Sequence, residues 1–378
     1  MRKTFCFKLY TSKKNKFLHN KIDIGSQIYN YCISLHKRYY RLYKKHLNKY
    51  QLQKHLTKAK KRYPDFKNFQ SQALQDITDR IDRAYLLFFK NLKNKVKTSP
   101  PNFKKKKRYK SFTLKQAGYK LIAKNKILID QKIYNFFASQ EIDGVIKTLT
   151  IKRDPIGDLY IFFSVDVIEE LENKTMSCKT AGFDFGLKTF LTSSEDEEDI
   201  KSPLFFKKTL KKIKKLNQSF SRKKRGSSNR KKALMNLFRV HKKIFNQRKD
   251  FHFKLAKDLS EKYVHLFFEN LDIKALQKLY GRKISDLSFS NFLKILEYYQ
   301  EKKGSKIIYI DRFYPSSKTC YHCNNINADL TLKDRTWICP HCKKTIMRDK
   351  NAARNIKRQG IVLWNRENKT RNSRAIPA

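Results

Sequence analysis

Two sets of residues in this sequence have the types and spacing for chemistry. Cys320, Cys323, Cys339 and Cys342 form a C-x2-C-x15-C-x2-C pattern. Thiolates at this spacing suit tetrahedral Zn2+ in a small ribbon. His322 and His341 lie inside the two pairs, but four cysteines already complete the ligand set. A complete set leaves no position for a substrate, so the expected zinc is structural. The second set is acidic. Asp184 lies in GFDFGLK (182–188), Glu269 follows Leu266-Phe267-Phe268, and Asp349 leads the helical segment KNAARNI. An ionised carboxylate in apolar strand surroundings is costly unless it is paired or binds a metal. Each acid alone has an ordinary reading: a strand-end acid often closes a turn, and Asp349 suits a helix N-cap. Together they suit phosphodiester hydrolysis by two Mg2+ ions, which needs hard oxygen ligands converging on one point. That chemistry requires no cysteine or histidine nucleophile. Asp349 at a helix N-terminus also gains from the macrodipole.

The charge of the chain points to the substrate class. Its 378 residues carry a formal net charge of +54. Abundant Lys, Asn, Ile, Tyr and Phe reflect an AT-rich genome, but codon bias does not explain the shortage of acids. A duplex-binding protein neutralises roughly 6–10 phosphates. The surplus here suits a larger polyanion, such as a long structured RNA together with DNA. Hydrophobic residues make up 40% of the chain, so composition does not predict disorder. No apolar run approaches the roughly 20 residues of a membrane span, and MRKTFCFKLYTSKKNK has no signal-peptide core. The cytosol, and a prokaryotic one acting at the nucleoid, is the expected location. Isolated Cys6, Cys32 and Cys178 then read as core thiols.

The elements that must position these residues follow from periodicity. Residues 1–10 alternate as one strand. Helical spacing puts Ile28, Cys32, Leu35, Tyr39 and Leu42 on one face, and Leu74, Ile77, Ile81, Ala84 or Tyr85, and Phe88 on another, with a break at Pro64. Ser99-Pro100-Pro101 marks a boundary. The run Lys104, Lys105, Lys106, Lys107 and Arg108 follows, of a kind that contacts phosphates. Period-two patterning resumes at 119–130. Residues 145–167 read as a hairpin around Asp154–Asp158, and the strand at 1–10 is a candidate to join it. From 179 the chain reads as α/β. Residues 180–194, 263–270 and 306–311 are strand candidates, and SNFLKILEYYQEKKG is helical. Residues 201–250 hold 19 basic residues and one acid. They read as a helical hairpin whose loop region offers Arg222, Lys223, Lys224, Arg225, Arg230, Lys231 and Lys232 to phosphate. The acids at 195–199 read as solvated.

The order GFDFGLK, FFENL, a Cys-x-x-Cys pair and RDKNAARNI resembles the RuvC-like nuclease domain of the TnpB family. These are insertion-sequence-encoded RNA-guided DNA endonucleases related to type V CRISPR effectors. PPNFKKKKRYKSF (100–112), NQRKDFHFKLAKDL (246–259) and RFYPSSKTCYHC (312–323) extend the resemblance over most of the chain. It implies a multidomain α+β protein: an RNase H-like (RuvC) α/β nuclease domain with an inserted four-cysteine zinc ribbon, and an N-terminal β wedge domain interrupted by a helical recognition region. The expected boundaries are 1–12 and 97–178 for the wedge, 13–96 for the recognition region, 179–318 and 345–360 for the nuclease, 319–344 for the ribbon, and 361–378 for a disordered tail. The resemblance implies Asp184, Glu269 and Asp349 as catalytic Mg2+ ligands, a guide RNA derived from the element, and double-stranded target DNA cut beside a short motif. A transposase encoded by the same element is a further expected partner, and no membrane is involved. Met347 stands where the family often has another Asp. Asn324 and Lys343 stand where Gly is frequent after the Cys pairs.

Other functions would draw on the same residues. A catalytically silent RNA-guided repressor would be favoured by loss of an acid, yet all three are present. A strand-transfer transposase also uses three carboxylates, but needs no such basic surplus. A compact type V CRISPR effector would differ in its neighbouring genes.

Overall fold

The computed structural model describes residues 2–167, 179–196, 198–331 and 333–374. The chain forms two compact units, Met1–Glu169 and Glu170–Ala378. Cys178 lies outside the described residues.

In the first unit, β1 (Arg2–Lys8) enters a sheet from which it is separated by a long helical insertion. The insertion comprises α1 (Asn15–Tyr43), α2 (Lys49–Arg62), α3 (Pro64–Lys67) and α4 (Ser71–Lys93). A 3-10 turn at Lys106–Arg108 leads to β2 (Ser111–Leu114). β3 (Tyr119–Ala123), β4 (Lys126–Ile129) and β5 (Lys132–Asn135) form a separate three-stranded sheet. β6 (Val145–Arg153) and β7 (Leu159–Asp166) form the hairpin read from the sequence. β1 pairs antiparallel with β7 from Arg2↔Asp166 to Lys8↔Tyr160, and the sheet order is β1-β7-β6-β2. Strict alternation in β7 buries Leu159, Ile161, Phe163 and Val165. The helices cover that core with Ile22, Ile28, Cys32, Ile77 and Ile81. α2 starts on a reciprocal capping box between Asn48 and Gln51, and Pro64 opens α3. Leu42 is 60% exposed instead of lying on the core face, because α1 overhangs its partners near its C-terminal end. Cys6 is also exposed, not a core thiol, since it falls on the outward alternation of β1; Cys32 is buried.

The second unit is built on β8 (Thr180–Phe185), β9 (Thr189–Ser193), β10 (Ile200–Lys201), β11 (His265–Glu269) and β12 (Ile307–Ile310), in the order β10-β9-β8-β11-β12. β8, β11 and β12 pair in parallel, and β9 pairs antiparallel with both β8 and β10, so β9 alone runs against the other four strands. Residues 180–194, one strand pattern in the sequence, are therefore two strands folded back at Gly186. The helical hairpin is α5 (Phe205–Ser221) and α6 (Ser228–Lys262), followed by α7 (Ile273–Tyr280), α8 (Arg282–Leu287) and α9 (Phe289–Lys302). β13 (Thr336–Ile338) and β14 (Thr345–Met347) form a small hairpin that runs directly into α10 (Arg348–Arg374). The expected tail from 361 is therefore helical through Arg374. Leu363 and Trp364 explain this: both pack beside Phe267, Ile308 and Ile310, and the Trp364 ring lies 4.6 Å from that of His265. Among the described residues, no helix is long and apolar enough to cross a membrane.

Candidate active site and four-cysteine centre

The parallel strands sort their side chains by alternation. Phe183, Phe185, Leu266 and Phe268 face one way, into a core with Phe289, Phe292 and Leu296 of α9 and with Ala256 and Leu259 of α6. Phe267, Ile308 and Ile310 face the other way, against Ile356 of α10. Gly182 and Asp184 share that second face, as does Glu269 two residues after Phe267. α10 comes unusually close here. A Cβ at Gly182 would sit 2.5 Å from the Ala353 carbonyl oxygen and 2.5 Å from the Lys357 nitrogen, and one at Gly360 would overlap Cδ1 of Phe267. Two glycines, one on the strand and one on the helix, thus let the helix lie on the sheet. Asp349 is one helical turn before Ala353, and Asp184 is one pleat beyond Gly182.

This packing sets the electrostatics. Burial pushes the Asp184 carboxyl up to about 8, with the charges of Glu269 and Asp349 adding to the shift and Arg348 opposing it. Glu269 is pushed up to about 7 by burial. A buried carboxyl raised further by neighbouring acidic charge, as Asp184 is, favours a proton or a cation. The donors are all hard oxygens, the chemistry that divalent Mg2+ prefers. Asp349 is turned toward the Arg335 guanidinium, whose Nη1 lies 3.3 Å from Oδ2 and 3.4 Å from Oδ1.

The four cysteines converge. Their sulfurs all lie within 4.8 Å of one another, with Cys320–Cys342 at 3.7 Å and Cys323–Cys339 at 3.5 Å. Tetrahedral zinc with bonds of about 2.3 Å spaces its sulfurs about 3.8 Å apart, so the set fits zinc. The two pairs are matching knuckles. Asn324 N donates to the Cys320 carbonyl at 2.9 Å and Cys320 N to the Asn325 carbonyl at 2.8 Å. Lys343 N donates to the Cys339 carbonyl at 3.0 Å and Cys339 N to the Lys344 carbonyl at 2.9 Å. Each turn requires a left-handed residue, Asn324 at φ 62 and Lys343 at φ 58, which is why glycine suits these positions. Leu330, Trp337 and Ile346 supply a small core.

The centre is tied to α10 by residues that spacing alone does not single out. Asn351 Nδ2 donates to the Thr319 carbonyl at 2.7 Å, and its Oδ1 accepts from Tyr321 N at 2.9 Å. Asn355, fully buried, donates to the carbonyls of Ser316 at 2.8 Å and Thr319 at 2.6 Å. Arg348 N donates to the Arg335 carbonyl at 2.9 Å, extending the β13–β14 pairing into the helix. The available signal was the i, i+4 pair of amides among alanines in KNAARNI, on the buried side of a helix. Arg335 had no comparable signal.

Of the acids at 195–199, Asp196, Glu198 and Asp199 are exposed as expected, Glu197 lies outside the described residues, and Glu195 is bound. Glu195 Oε1 lies 2.7 Å from Lys357 Nζ and accepts from Ser194 Oγ at 2.8 Å, its backbone carbonyl accepts from Lys350 Nζ, and Asp196 pairs with Arg354 at 3.3 Å. Most of the basic residues expected to meet phosphate are exposed. Lys105, Lys107 and Arg108 flank Lys106, which pairs with Asp23 at 3.1 Å. Lys104 lies 4.4 Å from the Tyr29 ring centre. Arg222, Lys223, Lys224, Arg225, Lys231 and Lys232 are exposed around the hairpin loop. Arg230 instead closes that loop, donating to the carbonyls of Lys223 at 2.7 Å and Phe220 at 3.2 Å. In the 246–259 segment, Arg248 pairs with Asp286 at 3.0 Å and His252 Nε2 meets the Leu287 carbonyl at 3.0 Å, so these residues clamp α6 to α8.

Comparison with known proteins accords with this architecture. Residues 162–279 match the family described as "Probable transposase" (OrfB_IS605), and residues 289–356 match "Cas12f1-like, TNB domain". A Streptomyces pristinaespiralis protein named "Putative RNA-guided DNA endonuclease" is 32% identical over 57% of this chain and 53% of its own length. The mimivirus "TnpB-like protein L79" is 30% identical over 60% of this chain and 46% of its own. Escherichia coli K12 InsQ, also named an RNA-guided DNA endonuclease of that kind, is 26% identical over 79% of this chain and 76% of its own. The chain thus spans about half the length of the first two relatives. Its fold is shared with the protein in "Cryo-EM structure of the Cas12f1-sgRNA-target DNA complex", at TM-score 0.56 and 15% identity over 94% of this chain and 98% of that one. It is shared too with "Structure of the mini-RNA-guided endonuclease CRISPR-Cas_phi3", at TM-score 0.53 and 10% identity over 96% and 92%. Both family matches fall almost wholly on the unit that carries the acids and cysteines, and the chain is similar to TnpB-named proteins and to proteins named as RNA-guided DNA endonucleases.

Proposed function

We propose that the chain is an RNA-guided DNA endonuclease of a transposable element, hydrolysing phosphodiester bonds at a RuvC-like site formed by Asp184, Glu269 and Asp349. The close seating of α10 on Gly182 carries this reading, because it brings an acid from a distant part of the chain over two strand-end acids. A five-stranded sheet in the order β10-β9-β8-β11-β12, in which β9 alone runs antiparallel, supports an RNase H-like assignment. When bound, two Mg2+ ions would activate water and stabilise the leaving oxygen. Asp184 and Glu269 supply oxygen ligands from adjacent strand ends, and Asp349 supplies one from the helix start. Arg335 and Arg348 place positive charge beside them for the scissile phosphate. The zinc ribbon holds the first turns of α10 through Asn351 and Asn355. The basic surplus fits a guide RNA and target DNA as partners, with sequence read by pairing and the protein reading backbone and shape. All three acids are present, which argues against a silent repressor.

The test is purification of the chain from its native locus, sequencing of any bound RNA, and cleavage of matching DNA in Mg2+. A discrete RNA from the element's end and Asp184-dependent cutting are expected. Random cellular RNA, or normal cutting by Asp184→Ala, would overturn the proposal.

A further inference from the structure

A cavity beside the strand ends shares Glu269 with the acidic cluster, but the rest of its lining, on the α9 side, has no part in the proposed hydrolysis. It has a volume of about 290 Å3 and lies between the C-terminal strand ends and α9. Glu269 and Asn270, where β11 ends, are part of its lining, so it adjoins the acidic cluster. Phe185, immediately after Asp184, and Leu293 form apolar walls, and Tyr309 and Glu297 form a polar end. The volume is at the lower end for small-molecule sites, enough for one flat heterocycle and too small for a stretch of duplex. The polar end is preset: Tyr309 O–H donates to Glu297 Oε1 at 2.7 Å, which fixes the carboxylate and leaves its second oxygen able to accept. Lys294, one turn before Glu297 and also lining the cavity, is exposed at the rim, where a phosphate would be attracted.

We infer that this cavity is a subsite for one unpaired base of the DNA strand being cut, selecting a base with an exocyclic amine. The inference rests on the nuclease reading for the identity of the strand. An unstacked base is held by aromatic and apolar contacts and read along its pairing edge. A fixed carboxylate accepts from the amine of cytosine, adenine or guanine. It meets a carbonyl in the corresponding position of thymine, which it repels. The strand would then be anchored at two points, its phosphate on the α10 side of the strand ends and a neighbouring base on the α9 side. This anchoring would give the cut a local base preference independent of any guide.

The experiment uses the full chain with its copurified RNA and single-stranded DNA carrying either 5-iododeoxycytidine or 5-iododeoxyuridine, irradiated in EDTA so that no cutting is needed. Crosslinks mapped by mass spectrometry should fall on Phe185 or Tyr309, about fivefold more often for the cytosine analogue, a size within the discrimination expected of one base-edge contact. Glu297→Gln should even out the two analogues, and Leu293→Trp should block both by filling the cavity. Equal crosslinking of the two analogues in the wild type, or crosslinks confined to other peptides, would overturn the inference. Asp184→Ala cutting assays report on the nuclease reading separately. If they abolish cutting while the cavity gives no crosslinks, the subsite fails alone. If the cavity crosslinks but no DNA is cut, the nuclease reading fails and base binding stands.

Discussion

Gly182 lies directly beneath Ala353: a single added Cβ on the strand would sit 2.5 Å from that residue's carbonyl oxygen. The neighbour is helix backbone, which cannot rotate away as a side chain can. Gly182→Ala is expected to push α10 outward and destabilise the second unit by about 1–3 kcal/mol, the usual range for overpacking. Cleavage should fall further than stability does, because the displacement moves Asp349 relative to Asp184. Thermal melts and cutting rates of the same preparation check this, and a variant with wild-type rates would show that the close seating is dispensable.

The raised carboxyls predict an inverted pH profile. Asp184 moves from 3.8 up to about 8 and Glu269 from 4.5 up to about 7. Between the ordinary and raised values the folded state binds more protons than the unfolded one, so stability is lost as pH rises through that window. The metal-free protein should therefore melt at progressively lower temperature from about pH 4 to about pH 8. Mg2+ selects the ionised forms, so its stabilising effect should grow over the same range and be largest near the top of it. Asp184→Asn should flatten both trends. Melting curves with and without Mg2+ across pH give the answer, and stability that rises over this window would contradict the site's electrostatics.

Loss of zinc should act on the distant acid through the ribbon. Cys339→Ser breaks one knuckle and leaves the Asn351 and Asn355 partners at 316–321 without their fixed backbone. Cleavage should drop at least tenfold while RNA binding changes little. Zinc analysis paired with a cutting assay tests it. Full activity in a preparation verified to be zinc-free would remove the supporting role.

Asn355→Leu keeps the approximate volume and removes both donors. The buried carbonyls of Ser316 and Thr319 would lose a partner, at a cost of about 1–3 kcal/mol. Zinc should remain stoichiometric, since no ligand is touched. Urea unfolding together with metal analysis distinguishes this from Cys339→Ser, and an unchanged midpoint would refute the role given to the amide.

Arg335→Gln should barely change stability, because the ion pair to Asp349 is exposed on both sides, 62% and 43%, and such pairs contribute about 0–1 kcal/mol. Its effect should appear in metal binding: with Asp349 released, Mg2+ should stabilise the protein at lower concentration. Thermal-shift titrations with Mg2+ measure this, and an unshifted midpoint would mean that the pair does not compete with the cation.

The elements and much of the site chemistry were legible locally. Cysteine spacing depends on a turn of four residues, so it shows in a short window. The left-handed residues after each pair were foreshadowed by departure from glycine. The β6–β7 hairpin, the α5–α6 hairpin and the apolar strands show as periodicity, because burial of one face dictates residue type at a fixed repeat. Elements that the sequence does not reveal, such as β5, β10, α3, α7 and α8, are short and partly exposed, so their patterns carry little burial signal. The tail past 360 looked polar enough to be unstructured, and only the packing of Leu363 and Trp364 on the sheet reveals why it continues as helix.

Residue types alone establish that a strongly basic chain carries a thiolate set spaced for a metal and acids suited to hard cations, since charge and ligand type are properties of residues. The fold is what brings Glu269 and Asp349 near enough for their charges to raise the Asp184 carboxyl. Asp184, Glu269 and Asp349 lie far apart along the chain, and no local pattern encodes the approach of a helix to a strand. That approach depends on two missing side chains, at Gly182 and Gly360, and on two buried amides tying the ribbon to the helix. The same tertiary packing separated Arg230, committed to its own loop, from neighbouring cations that remain open to phosphate. A residue's type gives its charge, but which groups lie within bonding distance depends on how the chain folds back.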